Sequence, residues 1–90
     1  MARRAIVGLL LPLPAAAEPP GAAACSGCHA PARIGSPVPP LGGRSADEIA
    51  AAMREFRSGQ RPATVMDRIA KGFSDDEIRA IAAWLARQPP

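Results

Sequence analysis

Cys25-Ser26-Gly27-Cys28-His29 holds every cysteine and the single histidine of the chain within five positions. Two thiols separated by two residues, followed at once by an imidazole, fit the Cys-x-x-Cys-His pattern of covalent haem attachment. The thiols can reach the two vinyl groups of one porphyrin to form thioethers, and His29 is then presented to the iron on one haem face. A disulfide between Cys25 and Cys28 closes a very small loop and so constrains the unfolded chain little. A non-haem thiol or metal module is the alternative use of the same two cysteines.

With no second histidine, bis-histidine ligation is excluded, and methionine is the protein ligand left for the other haem face. Met1 falls in the leader described below, which leaves Met53 and Met66. Met53 stands on a regular apolar stripe, the usual setting of methionine as core filler. Met66 follows a loop broken by Pro62, where the backbone can approach the haem, so Met66 is assigned as axial ligand with Met53 as the alternative. Methionine ligation raises a haem's potential and closes the iron to substrates, which suits electron transfer. No histidine remains for a Ser/His/Asp arrangement, and Asp75-Asp76-Glu77 are explained by helix capping. The expected class is an electron-transfer protein, not an enzyme.

The elements that must position these groups read as helices throughout, with no competing strand pattern. A short turn of helix is expected over residues 22–29. Residues 30–43 contain four prolines and three glycines and read as loop. A backbone carbonyl within residues 39–41 is placed to accept the second ring N–H of His29, as outer partners of metal ligands do. Ser45 and Glu48 form a capping-box signature that opens a helix over residues 46–57, with Ile49, Met53 and Phe56 on one face. Residues 65–71 read as a helix of about two turns at 3.6 residues each, with Met66, Ile69 and Phe73 on its apolar side. Ser74 and Glu77 repeat the capping signature before Ile78, Ile81, Ala82 and Leu85, the strongest helical stripe in the chain.

The chain has 90 residues, of which 11 are proline and 8 glycine, and Phe56, Phe73 and Trp84 are its only aromatics. So few large side chains cannot fill much of a core, and small domains usually need a staple. A porphyrin would supply that apolar bulk. Residues 1–17 read as an export signal: Arg3 and Arg4 precede an apolar run, and Ala15-Ala16-Ala17 offers a small-residue cleavage site. The run is too short to span a bilayer. The formal charge of +3 falls close to neutral once Arg3 and Arg4 are removed, so it gives no case for nucleic-acid binding. Residues 18–90 are then one monohaem domain.

The Cys25–His29 motif, the Pro40-Leu41 loop and the terminal helix together resemble small class I cytochromes c. Phe56-Arg57-Ser58-Gly59, followed by Thr64-Val65-Met66-Asp67-Arg68-Ile69-Ala70-Lys71-Gly72-Phe73-Ser74, is similar to the cytochrome subunit of flavocytochrome c sulfide dehydrogenase. The resemblance covers about residues 25–88. It implies an all-α class I fold of three to four short helices around one haem c. It also implies cofactor-binding residues Cys25, Cys28, His29 and Met66, with His29 and Met66 on the iron. The implied partners are an FAD flavoprotein that oxidises sulfide and a downstream acceptor, in the periplasm. A free-standing soluble cytochrome c is the alternative. The first helix of such proteins is longer than residues 18–24 allow, so here it is expected to be short or truncated.

Overall fold

A computed structural model describes residues 17–90, so all but the last position of the expected export signal lies outside the described residues. The described residues form helices and connecting loops, with no strand among them. α1 spans Ala22–Cys28, α2 Ala46–Ser58, α3 Met66–Ala70 and α4 Asp75–Ala86, with a 3₁₀ turn at Ala32–Ile34. No described helix is long and apolar enough to cross a membrane.

α4 forms where its sequence signals agree. The Ser74 hydroxyl accepts from the Glu77 N–H at 3.2 Å, and the Glu77 carboxylate accepts from the Ser74 N–H at 2.9 Å. Three acidic residues in the first turn also complement the positive end of the helix dipole. Behind the cap, Ile78, Ile81, Ala82 and Leu85 are all buried. Ile78 and Ile81 lose essentially all their accessible surface, and full burial of such a side chain contributes about 1.5–3 kcal/mol.

α2 packs its own buried stripe, Ile49, Ala50 and Met53, into the same core. Its start differs from that of α4: the Ser45 hydroxyl accepts from the Glu48 N–H at 3.0 Å, but Glu48 makes no return bond to Ser45. The capping box of α2 is therefore half formed. The Arg57 guanidinium of α2 donates to the Phe73 carbonyl at 3.2 Å and pairs with Asp75, which ties the α3–α4 connection to α2.

α3 is five residues long, shorter than expected, and Val65 rather than Thr64 precedes it, without a side-chain cap. Its buried member is Ala70, at 0% exposure, while Ile69 is 39% exposed. The expected apolar face of α3 is thus carried mainly by Ala70. The small residue lets α3 lie close to α2, where a large one would hold the backbones apart.

α1 is short, as its seven residues show. Gly21 caps it at φ 93°, and a Cβ there would stand 2.6 Å from the Phe73 ring and 3.4 Å from Ile81. Glycine is required on both counts: the left-handed backbone and the close approach to α4. Ala22 behind it is fully buried. At the other end of the molecule, a Cβ on Gly42 would meet the Gln88 carbonyl oxygen at 2.8 Å. The C-terminal residues thereby press on the loop that leaves the 3₁₀ turn.

Candidate haem site

His29 is the residue that ends α1. Its N–H donates to the Cys25 carbonyl at 2.7 Å, and its backbone turns out of the helix at φ −91°, ψ 65°. The ring Nδ1 lies 2.6 Å from the Pro39 carbonyl oxygen. A carbonyl can only accept, so Nδ1 carries the proton and Nε2 keeps its lone pair for a metal. The contact expected from the proline-rich loop is present, and Pro39 supplies it. Gly42 and the C-terminal residues hold that loop from behind.

Cys25 and Cys28 are free thiols, the first half-buried and the second exposed. Burial pushes the Cys25 thiol up, with the neighbouring Cys28 adding to the effect and a backbone hydrogen bond opposing it. Both thiols line a cavity of about 380 Å³ together with His29, Pro39 and Leu41. α2 contributes Ile49, Met53 and Phe56 to the same cavity, α3 contributes Met66 and Ile69, and Phe73, Ile81 and Leu85 close it. All four residues singled out in the sequence therefore meet in one place. Its volume falls within the range of small-molecule and cofactor sites, about 300–1,000 Å³.

The residues present fit a haem. The lining is almost entirely hydrocarbon, as a tetrapyrrole requires, and it offers two thiols, an oriented imidazole and thioether sulfurs. Among the described residues no group of three or more His, Cys, Asp or Glu side chains is placed to hold a bare ion.

The two methionines differ in setting. Met53 is 6% exposed and sits in the α2–α4 core between its buried neighbours. Met66 is half-buried at the first turn of α3, the shortest α-helix among the described residues. Sequence reading missed the charged members of the lining, Arg44, Glu48 and Arg61. Arg61 had a signal: it follows the Gly59 stop of α2, where the chain turns back toward Glu55 and Phe56. Gly27, within the motif, lies outside the lining and is exposed.

The profile of the family described as cytochrome C oxidase, cbb3-type, subunit III matches residues 18–85. The chain is 40% identical over 67 residues to the thiosulfate dehydrogenase electron acceptor of Stutzerimonas stutzeri, covering 69% of this chain and 31% of that protein. It is 39% identical over 61 residues to the cytochrome subunit of sulfide dehydrogenase of Chlorobaculum tepidum, covering 67% of this chain and 56% of that one. Cytochrome c-554(548) of Halomonas halodenitrificans is 36% identical over 69 residues, covering 71% of this chain and 83% of the relative. The matched region thus spans 31% and 56% of the first two relatives.

Proposed function

The chain belongs to the cytochrome c family, whose domain binds haem c covalently, and from that premise we propose that it carries single electrons through one haem held by Cys25, Cys28, His29 and Met66. The haem, when bound, supplies an iron that changes oxidation state by one electron. Everything else asked of the site falls to the chain. Cys25 and Cys28 tether the macrocycle, and the Pro39 carbonyl holds His29 in one tautomer and one orientation. Met66 would supply a sulfur ligand to the iron beside His29, which would close the iron to substrates. The apolar lining keeps water out, which limits the reorganisation that accompanies electron transfer.

The observation that carries this reading is the His29–Pro39 hydrogen bond in the cavity that also holds both thiols and Met66. Met66 is preferred over Met53 because Met53, although it also lines the cavity, is 6% exposed among the α2–α4 core residues, whereas Met66 is half-buried at the first turn of the short α3. For protein made alongside haem-maturation machinery, a pyridine haemochrome spectrum is expected to show covalent haem. In the oxidised protein, Met66→Ala is expected to remove the weak near-infrared sulfur-to-iron band and Met53→Ala to keep it; the opposite result transfers the ligand to Met53.

The physiological donor is proposed to be an FAD flavoprotein that oxidises sulfide, with the catalysis residing in that subunit and a downstream acceptor reoxidising the haem. The similarity to the sulfide dehydrogenase cytochrome subunit supports this, and the export signal read over residues 1–17 supports a periplasmic location for the pair. A second reading is supported by the thiosulfate dehydrogenase electron acceptor: a carrier that meets its donor only transiently. Co-purification separates the two, since a stable subunit brings a flavin-containing partner with it and a free carrier does not.

A further inference from the structure

The cavity is apolar except at three charged side chains, Arg44, Glu48 and Arg61, and a haem brings two carboxylates that such a lining cannot bury alone. The unpaired cost of a carboxylate in hydrocarbon is large, so each must reach solvent or a cation. The two arginines are not equivalent. Arg44 has no ion-pair partner among the described residues, and nothing fixes its guanidinium. Arg61 is held in three ways. Its N–H donates to the Glu55 carbonyl at 3.3 Å, and its Nε donates to a Glu55 carboxylate oxygen at 2.9 Å, with Nη2 2.8 Å from the same oxygen in an ion pair. Its guanidinium also lies 5.5 Å from the centre of the Phe56 ring, within cation–π range.

That arrangement uses one edge of the guanidinium and leaves Nη1 without a protein partner among the described residues. A planar fork with its remaining donors fixed in advance matches a carboxylate. It also loses little rotamer freedom on binding one. We infer that Arg61, positioned by Glu55 and Phe56, binds a haem carboxylate and is the fixed cation that biases the haem toward its reduced form. The assignment rests on the haem reading above. Reduction adds one electron and makes or breaks no bond, so it lowers the net charge of the site by one. A cation held nearby favours that change, and an arginine cannot lose its charge by deprotonation.

The test is the midpoint potential of the haem-loaded protein, read against Arg79→Gln, an exposed α4 arginine outside the cavity lining. Arg61→Gln is expected to lower the equilibrium constant for reduction by about threefold to tenfold, where tenfold is about 59 mV for one electron. Arg61→Lys keeps the charge but not the fork and is expected to fall between wild type and Arg61→Gln; it reads the contact by itself if the glutamine form accumulates without haem. Glu55→Gln is expected to lower the melting temperature while leaving the charge of Arg61 in place. If Arg61 serves only to close the loop, Arg61→Gln and Glu55→Gln lower Tm alike and the potential moves no more than in Arg79→Gln. That outcome overturns the assignment. Wild-type protein without covalent haem would overturn the reading beneath it and this assignment with it.

Discussion

The α2–α4 pair and the two segments that carry Cys25, Cys28, His29 and Met66 are built in different ways. α2 and α4 are 13 and 12 residues long, each begins with a serine cap bond, and each buries a continuous apolar stripe against the other. α1 and α3 have seven and five residues and no side-chain cap bond. Helices of that length are not stable in isolation. Around them stand the exposed large apolar side chains Ile34, Val65 and Ile69. One half of the molecule can order itself, while the other half presents its chemical groups to a cavity and depends on what fills it.

The largest expected effect tests that dependence. Replacing Cys25 and Cys28 by alanine removes the tether, and amide hydrogen exchange should then show α1 and α3 losing nearly all protection while α4 keeps part of its own. Equal loss in α2 and α4 would show that the pair is not self-sufficient, and the comparison would break.

Next comes the core itself. Ile78→Ala empties a fully buried site and is expected to cost about 2–5 kcal/mol in denaturant unfolding. Ile34→Ala, at a side chain 62% exposed, is expected to stay within about 0.5 kcal/mol of wild type.

A smaller effect separates the two serine caps. Ser74→Ala and Ser45→Ala each remove one hydroxyl acceptor and are each expected to cost about 0.5–2 kcal/mol, while Glu77→Ala removes the return bond to the Ser74 N–H that Glu48 does not make to Ser45. A Glu77→Ala cost no larger than that of Glu48→Ala would mean that the return bond from Glu77 adds nothing.

The smallest effect is acid sensitivity at the start of α4. The Arg57 side-chain hydrogen bond, with its charge, holds the Asp75 carboxyl below the usual range, and the Ser74 backbone hydrogen bond does the same for Glu77. Both pKa values are lowered on folding, so the stability they contribute is present above the unfolded values of about 3.9 and 4.3. It is lost as pH falls through the lower folded values. Melting temperature should therefore fall on acidification, and Arg57→Gln should flatten the part owed to Asp75. An unchanged slope in Arg57→Gln would remove Asp75 from the account.

Legibility in the sequence follows the same division. α4 and α2 were legible almost to the residue because cap, period and stop signal are all local. The haem motif was legible because three residues of two rare types, both cysteines and the single histidine, coincide within five positions. α3 was less so, since its length and its buried residue are set by how near α2 it must lie, and Ala70 carries no hydrophobic signal beyond its neighbours. Ser45 and Ser74 have the same Ser-x-x-Glu signature, yet Glu77 turns back to its cap while Glu48 lines the cavity. Nothing local distinguishes them.

By itself the sequence determined that the chain is helical, where the two long helices begin and end, and that a haem would be tethered at Cys25 and Cys28 beside His29. These follow from local rules: hydrogen bonds within a few residues, a 3.6-residue apolar period, and the reach of two thiols across one macrocycle. Only the tertiary structure decided that Pro39 is the residue that orients His29 and that Arg61 is clamped at the cavity. Each of those depends on contacts between segments distant in the chain or on a loop closing upon itself, where propensity and spacing carry no information about which neighbour arrives.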